Sequence, residues 1–390
     1  MLFQAIDDKS ECIGIYADGK LHFEDFPDEL NRTWRYTGAR TDDIVEYAWI
    51  YAGGSDLKTA CPGEYAEELA ATERKLRAYR KTFKIAKVDL NDHCIFDLVP
   101  HDFLKRFCEV KNRITEHVFE TRTKPDNYQH LCDVEKLLHK IRYNKLNLST
   151  IDCRHLMFST LDRKKAQDLV KSYHYIDYNL FGTVTGRLTT RPGSFPILTL
   201  KKEFRKLLKP NNDLFVALDY NGAEVRTFLD LAGQEQPDHD IHDWNVRNVF
   251  ANALTRDEAK VEFFGWLYNS LEHPDLGEIY NKAKVLDEWY DGEYITTPYQ
   301  RKISVDDFRA LNYLIQSTTA DRVLSKAVII DKMLEDRKSF VSHILHDEIV
   351  VDFSEEDRDI IMDVKAVFED GYLATMKAGR NYFELSELGL

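Results

Sequence analysis

The sequence predicts an α+β chain built from more than one module. Three observations carry that expectation: a hairpin-like alternation at the N-terminus, long breaker-poor helical stretches between residues 64 and 146, and apolar strand-like runs at 214–219 and 341–353 set among further helical segments. With 390 residues, 43% hydrophobic and 12% aromatic, the chain can bury a substantial core and has room for two or three modules. No stretch approaches the roughly 18 apolar residues of a membrane span. Charges at Asp7, Asp8, Lys9 and Glu11 interrupt the N-terminus before a secretory run can form, so a cytoplasmic location is expected. Six cysteines between Cys12 and Cys153, with no C-x-x-C pair, are expected to be reduced core residues, neither a disulfide framework nor a zinc site.

Along the chain, CIGIY at 12–16, a turn at Ala17-Asp18-Gly19 and KLHFEDF after it read as a β-hairpin, which opens a small β-containing module over 1–62. The Gly and Pro residues from Gly53 to Gly63 mark a boundary, after which 64–86 has the charge density of a helix. Residues 101–146 read as two long antiparallel helices broken at the turn-rich Thr123 to Asn127. A loop rich in Thr, Gly and Pro follows at 182–199, then a strand at 214–219, helices at about 256–268 and 306–335, and a hairpin centred on 346–348.

Charge is unevenly spread. The total is −14, yet Leu104 to Lys206 holds 21 Lys and Arg against 11 Asp and Glu. A basic middle in an acidic chain suits a surface that tracks phosphates, and equally suits solvated helix faces. The strand Leu214 to Leu218 is apolar on both faces and ends in Asp219-Tyr220 with Glu224 after a turn, while VSHILHDEIVVDF at 341–353 carries His346-Asp347-Glu348 at a hairpin tip. A carboxylate at the end of a buried strand is costly unless a cation holds it. Two such ends supply the oxygen ligands of a two-metal phosphoryl-transfer site. On 256–268, Arg256, Lys260, Phe264 and Tyr268 recur every fourth residue and form one stripe about 18 Å long. Cations at one end fit a triphosphate and aromatics at the other fit a base.

These segments, in this order, resemble the motifs of family A DNA polymerases, over about Tyr178 to Phe353. TGRLTT at 185–190 is similar to the family's TGRLSS, DYNGAEVR at 219–226 to DYSQIELR, and DIH at 240–242 to its DIH. RDEAKVEFFGWLYN at 256–269 resembles the fingers-helix pattern, NYLIQSTTAD at 312–321 resembles NxxxQGTAAD, and HDE at 346–348 matches the last motif.

The resemblance implies a right-hand polymerase fold: thumb helices over 63–150, palm over 151–235 and 305–390, and shortened fingers over 236–304, after the module of 1–62. It implies addition of dNTPs to a primer 3′ end on a DNA template, with two Mg²⁺ ions, for which Mn²⁺ is the substitute, held by Asp219, Asp347, the Tyr220 carbonyl and, in support, Glu348. Arg256, Lys260 and His242 would bind the β- and γ-phosphates, with Lys260 as the acid for the departing pyrophosphate. Glu224, bonded to Tyr268, would be the steric gate against a ribose 2′-hydroxyl, and Phe264 would disfavour dideoxynucleotides. Arg187 and Gln316 would reach the minor groove. Asn312 and His346 would also meet the DNA, with Lys201, Lys202 and Arg205 on duplex phosphates.

Departures from the pattern are local. Asn269 stands where the family has Gly after the fingers Tyr, and only 48 residues separate Tyr268 from Gln316. No D-x-E on a strand appears in the first 95 residues; Asp133 and Glu135 have the spacing but sit in a helical stretch and are expected to be solvated. A phage-type member without proofreading is therefore expected, acting in bacterial or phage-infected cytoplasm, with a separate exonuclease, helicase or processivity factor as partner and no membrane partner. The alternatives are a single-subunit RNA polymerase, against which Glu224 and HDE argue, and a catalytically inactive DNA-binding replication subunit, against which the retained Asp219, Asp347 and Lys260 argue.

Overall fold

The computed structural model describes residues 1–9, 12–23, 25–88, 90, 93–151, 159–268 and 273–387, with the side chains of 8, 9, 12 and 13 excepted. Asn269 and the Cys12 and Cys153 side chains thus lie outside what is described. Two compact units divide the chain, Met1–His139 and Lys140–Leu390.

In the first unit the strands Phe3–Lys9, Cys12–Ala17 and Lys20–His22 form an antiparallel sheet in that order. The second turn is Asp18-Gly19, with φ of 47° and 72°, the double positive φ that a tight hairpin needs and that Asp-Gly tolerates. The sheet rests on the helix His101–Thr121, where Gln4 Nε2 donates to Asn112 Oδ1 at 2.9 Å and to Thr115 Oγ1 at 3.1 Å. The helix Ala66–Ile85 packs on the same partner, with Arg113 reaching Glu68 at 2.6 Å and the Tyr79 ring 5.3 Å from that of Phe103. A further helix, Tyr128–Tyr143, begins after the turn.

Two expectations are corrected in this unit. Glu135 is not solvated: it is buried and accepts from Arg35 at 2.7 Å, because the inner face of its helix turns the carboxylate toward a guanidinium. Cys94 is disulfide-bonded, whereas Cys61, Cys108 and Cys132 are free thiols, so the six cysteines are not uniformly reduced.

The second unit is organised around a five-stranded antiparallel sheet in the order Phe340–Leu345, Glu348–Phe353, Leu214–Tyr220, Ala374–Gly379, Ser386–Glu387. The strand Leu214–Tyr220, with apolar residues on both faces, is the middle one and is covered on both sides. The helix Asp307–Met333 has buried residues on every side, from Ala310 and Leu314 through Thr318 and Asp321 to Ile330, and packs against the helices Ala223–Leu231 and Ile361–Glu369. Between the middle strand and that helix in sequence lie the helices Ile241–Asn248, Arg256–Tyr268, Pro274–Tyr280 and Lys282–Trp289 and the small hairpin Tyr294–Thr296 with Lys302–Ser304. Their shared core includes Phe228, Phe263, Trp266, Tyr280 and Leu314. Among the described residues no helix is long and apolar enough to cross a membrane.

Candidate active site

The site forms where the middle strand ends. Asp219 pairs across the ladder with Glu348 on one side and Thr375 on the other. Directly opposed residues in an antiparallel pair share a face, so the Asp219 and Glu348 side chains point the same way. The hairpin that brings Asp347 there has a two-residue loop, His346-Asp347, closed by the Leu345–Glu348 pair. His346 has φ 57°, the positive φ at the first loop position that this turn demands. A bulge between Val341 and His343 adds twist to the arm leading in. Of the two acids placed at the hairpin tip by sequence, only Asp347 is in the loop; Glu348 is the first residue of the strand itself.

Asp219, Tyr220, Glu224, His242, Arg256, Lys260, Phe264, His346, Asp347 and Arg187 all line one open cavity of about 520 Å³. Its floor is formed by the ends of the central strands and one wall is the helix Arg256–Tyr268. That helix turns Ala259, Phe263, Trp266 and Leu267 into the core, and Arg256, Lys260 and Phe264, on the stripe beside them, line the cavity. Tyr220 contributes backbone only: its ring stacks on Phe368 at 4.0 Å and its hydroxyl donates to the Phe368 carbonyl at 2.6 Å.

The acids crowd one another. Burial, then the charges of Asp347 and Glu348, push the Asp219 carboxyl up to about 7, with Lys377 acting in the opposite direction. Burial likewise raises Asp347 and Glu348. Glu348 is tied off, since its Oε1 accepts from Tyr382 at 2.5 Å while Arg205 lies 4.8 Å over the Tyr382 ring. Among the described residues no group of three or more histidine, cysteine or carboxylate side chains stands ready to hold a metal ion by itself.

The remaining predicted residues are partly engaged with one another. Glu224 accepts from the Tyr268 hydroxyl at 2.5 Å and is ion-paired with Arg187. Arg256 is paired with Asp240 through two bonds, at 3.2 and 2.8 Å. Asp240 also caps the helix Ile241–Asn248, accepting from the His242 and Asp243 amides at 2.9 Å each. Burial works to raise its carboxyl, but Arg256, Asn221 and the cap amides hold it well below the usual carboxylate range. His242 is buried beside Phe264, and burial pushes its imidazole down to about 4 against the pull of Asp240, so it is neutral near pH 7. Asn312 and Gln316 lie on the helix Asp307–Met333 and, with Glu348 and Tyr268, are not in the cavity lining.

Other site residues, three of them inside the DYNGAEVR segment, are not singled out by the sequence. Asn221 locks the strand end to the DIH segment, donating to Asp240 at 2.6 Å and accepting from the Ile241 amide at 3.0 Å. Gly222, at φ 66°, sits so close to Ile241 that a Cβ would fall 2.4 Å from its Cγ2. The fully buried Arg226 clamps the same segment through the Asn221, Pro237 and His239 carbonyls at 2.8 to 2.9 Å. Lys377 and Thr375 complete the cavity from the neighbouring strand.

A fold of this kind is also found in a solved structure. The POL domain of Pol1 from M. smegmatis, in complex with DNA primer-template and dNTP, matches with a TM-score of 0.56 over 75% of this chain and 77% of that one, at 13% identity. The chain has the fold of a family A polymerase domain. No protein-family model and no curated protein matches it. The match agrees with the α+β class expected from the sequence.

Proposed function

We propose that the chain is a template-directed DNA polymerase that adds dNTPs to a primer 3′ end. The observation that carries this reading is the convergence of Asp219 and Asp347 with the stripe Arg256, Lys260 and Phe264 in one cavity. The compared structure, whose fold is similar, contains primer-template DNA and a dNTP.

The donor set suits a hard divalent cation: two carboxylates and a backbone carbonyl at Tyr220, in a place where burial, and then the charges of the neighbouring acids, raise the Asp219 carboxyl. Mg²⁺ is commonly bound by one or two carboxylates with substrate phosphates and water completing the shell, which fits a site lacking a protein-only cage. When bound, two such ions, Mg²⁺ or its substitute Mn²⁺, supply activation of the primer hydroxyl and relief of charge on the phosphoryl oxygens.

The chain's own residues do the positioning. Lys260 and Arg256 meet the β- and γ-phosphates, and Lys260 is placed to give a proton to the departing pyrophosphate. Neutral His242 donates one hydrogen bond from the same wall. Phe264 stacks on Tyr268, rings 5.9 Å apart, and offers its face toward the base. Glu224, held by Tyr268, occupies the room that a ribose 2′-hydroxyl would need. The reading includes no proofreading on this chain and a phage-type subtype, with exonuclease, helicase or processivity functions on separate partners.

Extension of a labelled primer on a longer template, with and without Mg²⁺, tests the proposal. Wild type extends only with the cation and prefers dNTP over rNTP; Asp347→Ala loses at least about 10²- to 10³-fold in rate while still binding the duplex. Equal rates with rNTP would favour RNA synthesis, and undiminished extension by Asp347→Ala would remove the metal assignment.

A further inference from the structure

Four Lys and Arg side chains line the cavity: Arg187, Arg256, Lys260 and Lys377. Arg187 is taken by Glu224 and Arg256 by Asp240. Lys260 and Lys377 have no carboxylate partner within 4.0 Å among the described residues, and they reach the cavity from different elements. Lys260 belongs to the helix Arg256–Tyr268, whereas Lys377 stands on the strand Ala374–Gly379.

The ladder sets where Lys377 acts. Thr375 pairs with Asp219 and Lys377 with Ala217, so Lys377 lies two residues along the strand from Thr375, on the same face. That displacement is about 7 Å, within the reach of a lysine stem. Lys377 is half-buried, and its charge is felt by both Asp219 and Glu348. The cation is thus held near the acids by the sheet, with no carboxylate within ion-pairing distance of it among the described residues.

If the triphosphate lies along the helix stripe with its α-phosphate at Asp219 and Asp347, the primer 3′-hydroxyl must reach that phosphate, and this carries the phosphodiester of the primer's last nucleotides close to the acids, where it needs a cation. Lys377 lines the cavity from the sheet strand, apart from the helix stripe that the triphosphate would occupy. We propose that Lys377 is a primer-strand phosphate contact, a DNA-binding residue next to the reacting 3′ end. This inference rests on the polymerase reading above. It assigns the sheet strand a role in holding the primer terminus, distinct from the nucleotide-binding wall.

Equilibrium binding of a primer-template duplex to wild type, Lys377→Gln and Lys377→Arg, each across a salt series, tests the assignment, with steady-state extension on the same proteins. Lys377→Gln is expected to weaken duplex binding roughly three- to tenfold, equally on duplexes of unrelated sequence, and to lower the slope of log K against log salt by about 0.9. The dNTP KM should stay within twofold, and Lys377→Arg should keep the affinity and slope, which separates lost charge from lost fold. Wild-type duplex affinity and slope in Lys377→Gln, or an effect confined to the dNTP KM, overturns the inference while leaving extension by wild type, and so the polymerase reading, intact. Failure of wild type itself to extend a primer overturns both.

Discussion

The Tyr268 hydroxyl donates to the Glu224 carboxylate at 2.5 Å, joining the end of one helix to the first turn of another 44 residues earlier in the chain. Arg187 pairs with the same carboxylate, so Glu224 is held from both sides at the rim of the cavity.

Removing that wall should relax sugar selection. Glu224→Ala is expected to raise rNTP incorporation relative to dNTP by roughly tenfold or more, the scale on which one pocket contact discriminates. Tyr268→Phe, which leaves Glu224 to Arg187 alone, should have a smaller effect in the same direction. Single-nucleotide incorporation of matched dNTP and rNTP measures both; unchanged ratios in Glu224→Ala would refute the gate.

A buried ion pair supports the loop bearing Arg187. Arg301 donates to Asp321 at 2.8 and 2.6 Å, both side chains nearly inaccessible, and a Cβ on Gly186, at φ 77°, would meet the Arg301 guanidinium at 2.5 Å. Arg301→Met should strand a buried carboxylate and cost about 3–5 kcal/mol, whereas Arg301→Met with Asp321→Leu should recover much of it. Urea midpoints of the single and double variants check this; a double variant no more stable than the single would contradict it.

Asp240 joins two tasks, capping its helix and holding Arg256. Asp240→Ala should lower stability by about 1–2 kcal/mol, and Asp240→Asn, which can still cap, should lose less. Thermal unfolding distinguishes the two; equal losses would show that the ion pair with Arg256 outweighs the cap.

His343 supplies a pH dependence. It is fully buried among the Phe215 and Tyr382 rings, its Nδ1 3.0 Å from Ser342 Oγ, and burial, then Arg205, push it from 6.5 down to about 3. As pH falls below about 6.5 the unfolded chain binds a proton that the folded chain refuses. Stability is therefore full above that value and lost progressively toward pH 3, by a few kcal/mol on the order of magnitude. His343→Leu should flatten the stability difference between pH 7 and pH 4; an unchanged slope would show that other groups set it.

Much of the site was legible in the sequence because the deciding signals are local. A doubly apolar strand points to a position covered on both faces, a four-residue spacing forms one helix stripe, and HDE between two apolar arms favours a hairpin. The ordered motifs then pointed to the polymerase-domain fold. Glu348 was read as a tip residue because the hairpin loop could be drawn one residue either way from sequence, and only the pairing of Leu345 with Glu348 settles it. Glu135 was read as solvated because its partner Arg35 lies 100 positions away.

By itself, then, the sequence determined the elements, their order and the residue types able to handle phosphates and cations. The tertiary structure alone decided how those charges are engaged: Arg256 pairs with Asp240 and Arg187 with Glu224, Glu348 accepts from the Tyr382 hydroxyl, and Lys377 lines the same cavity as Asp219. The reason is physical. Periodicity depends on neighbours a few residues apart, while ion pairing and burial depend on strand register and packing between segments far apart in the chain, and a shift of one residue turns every side chain to the other face.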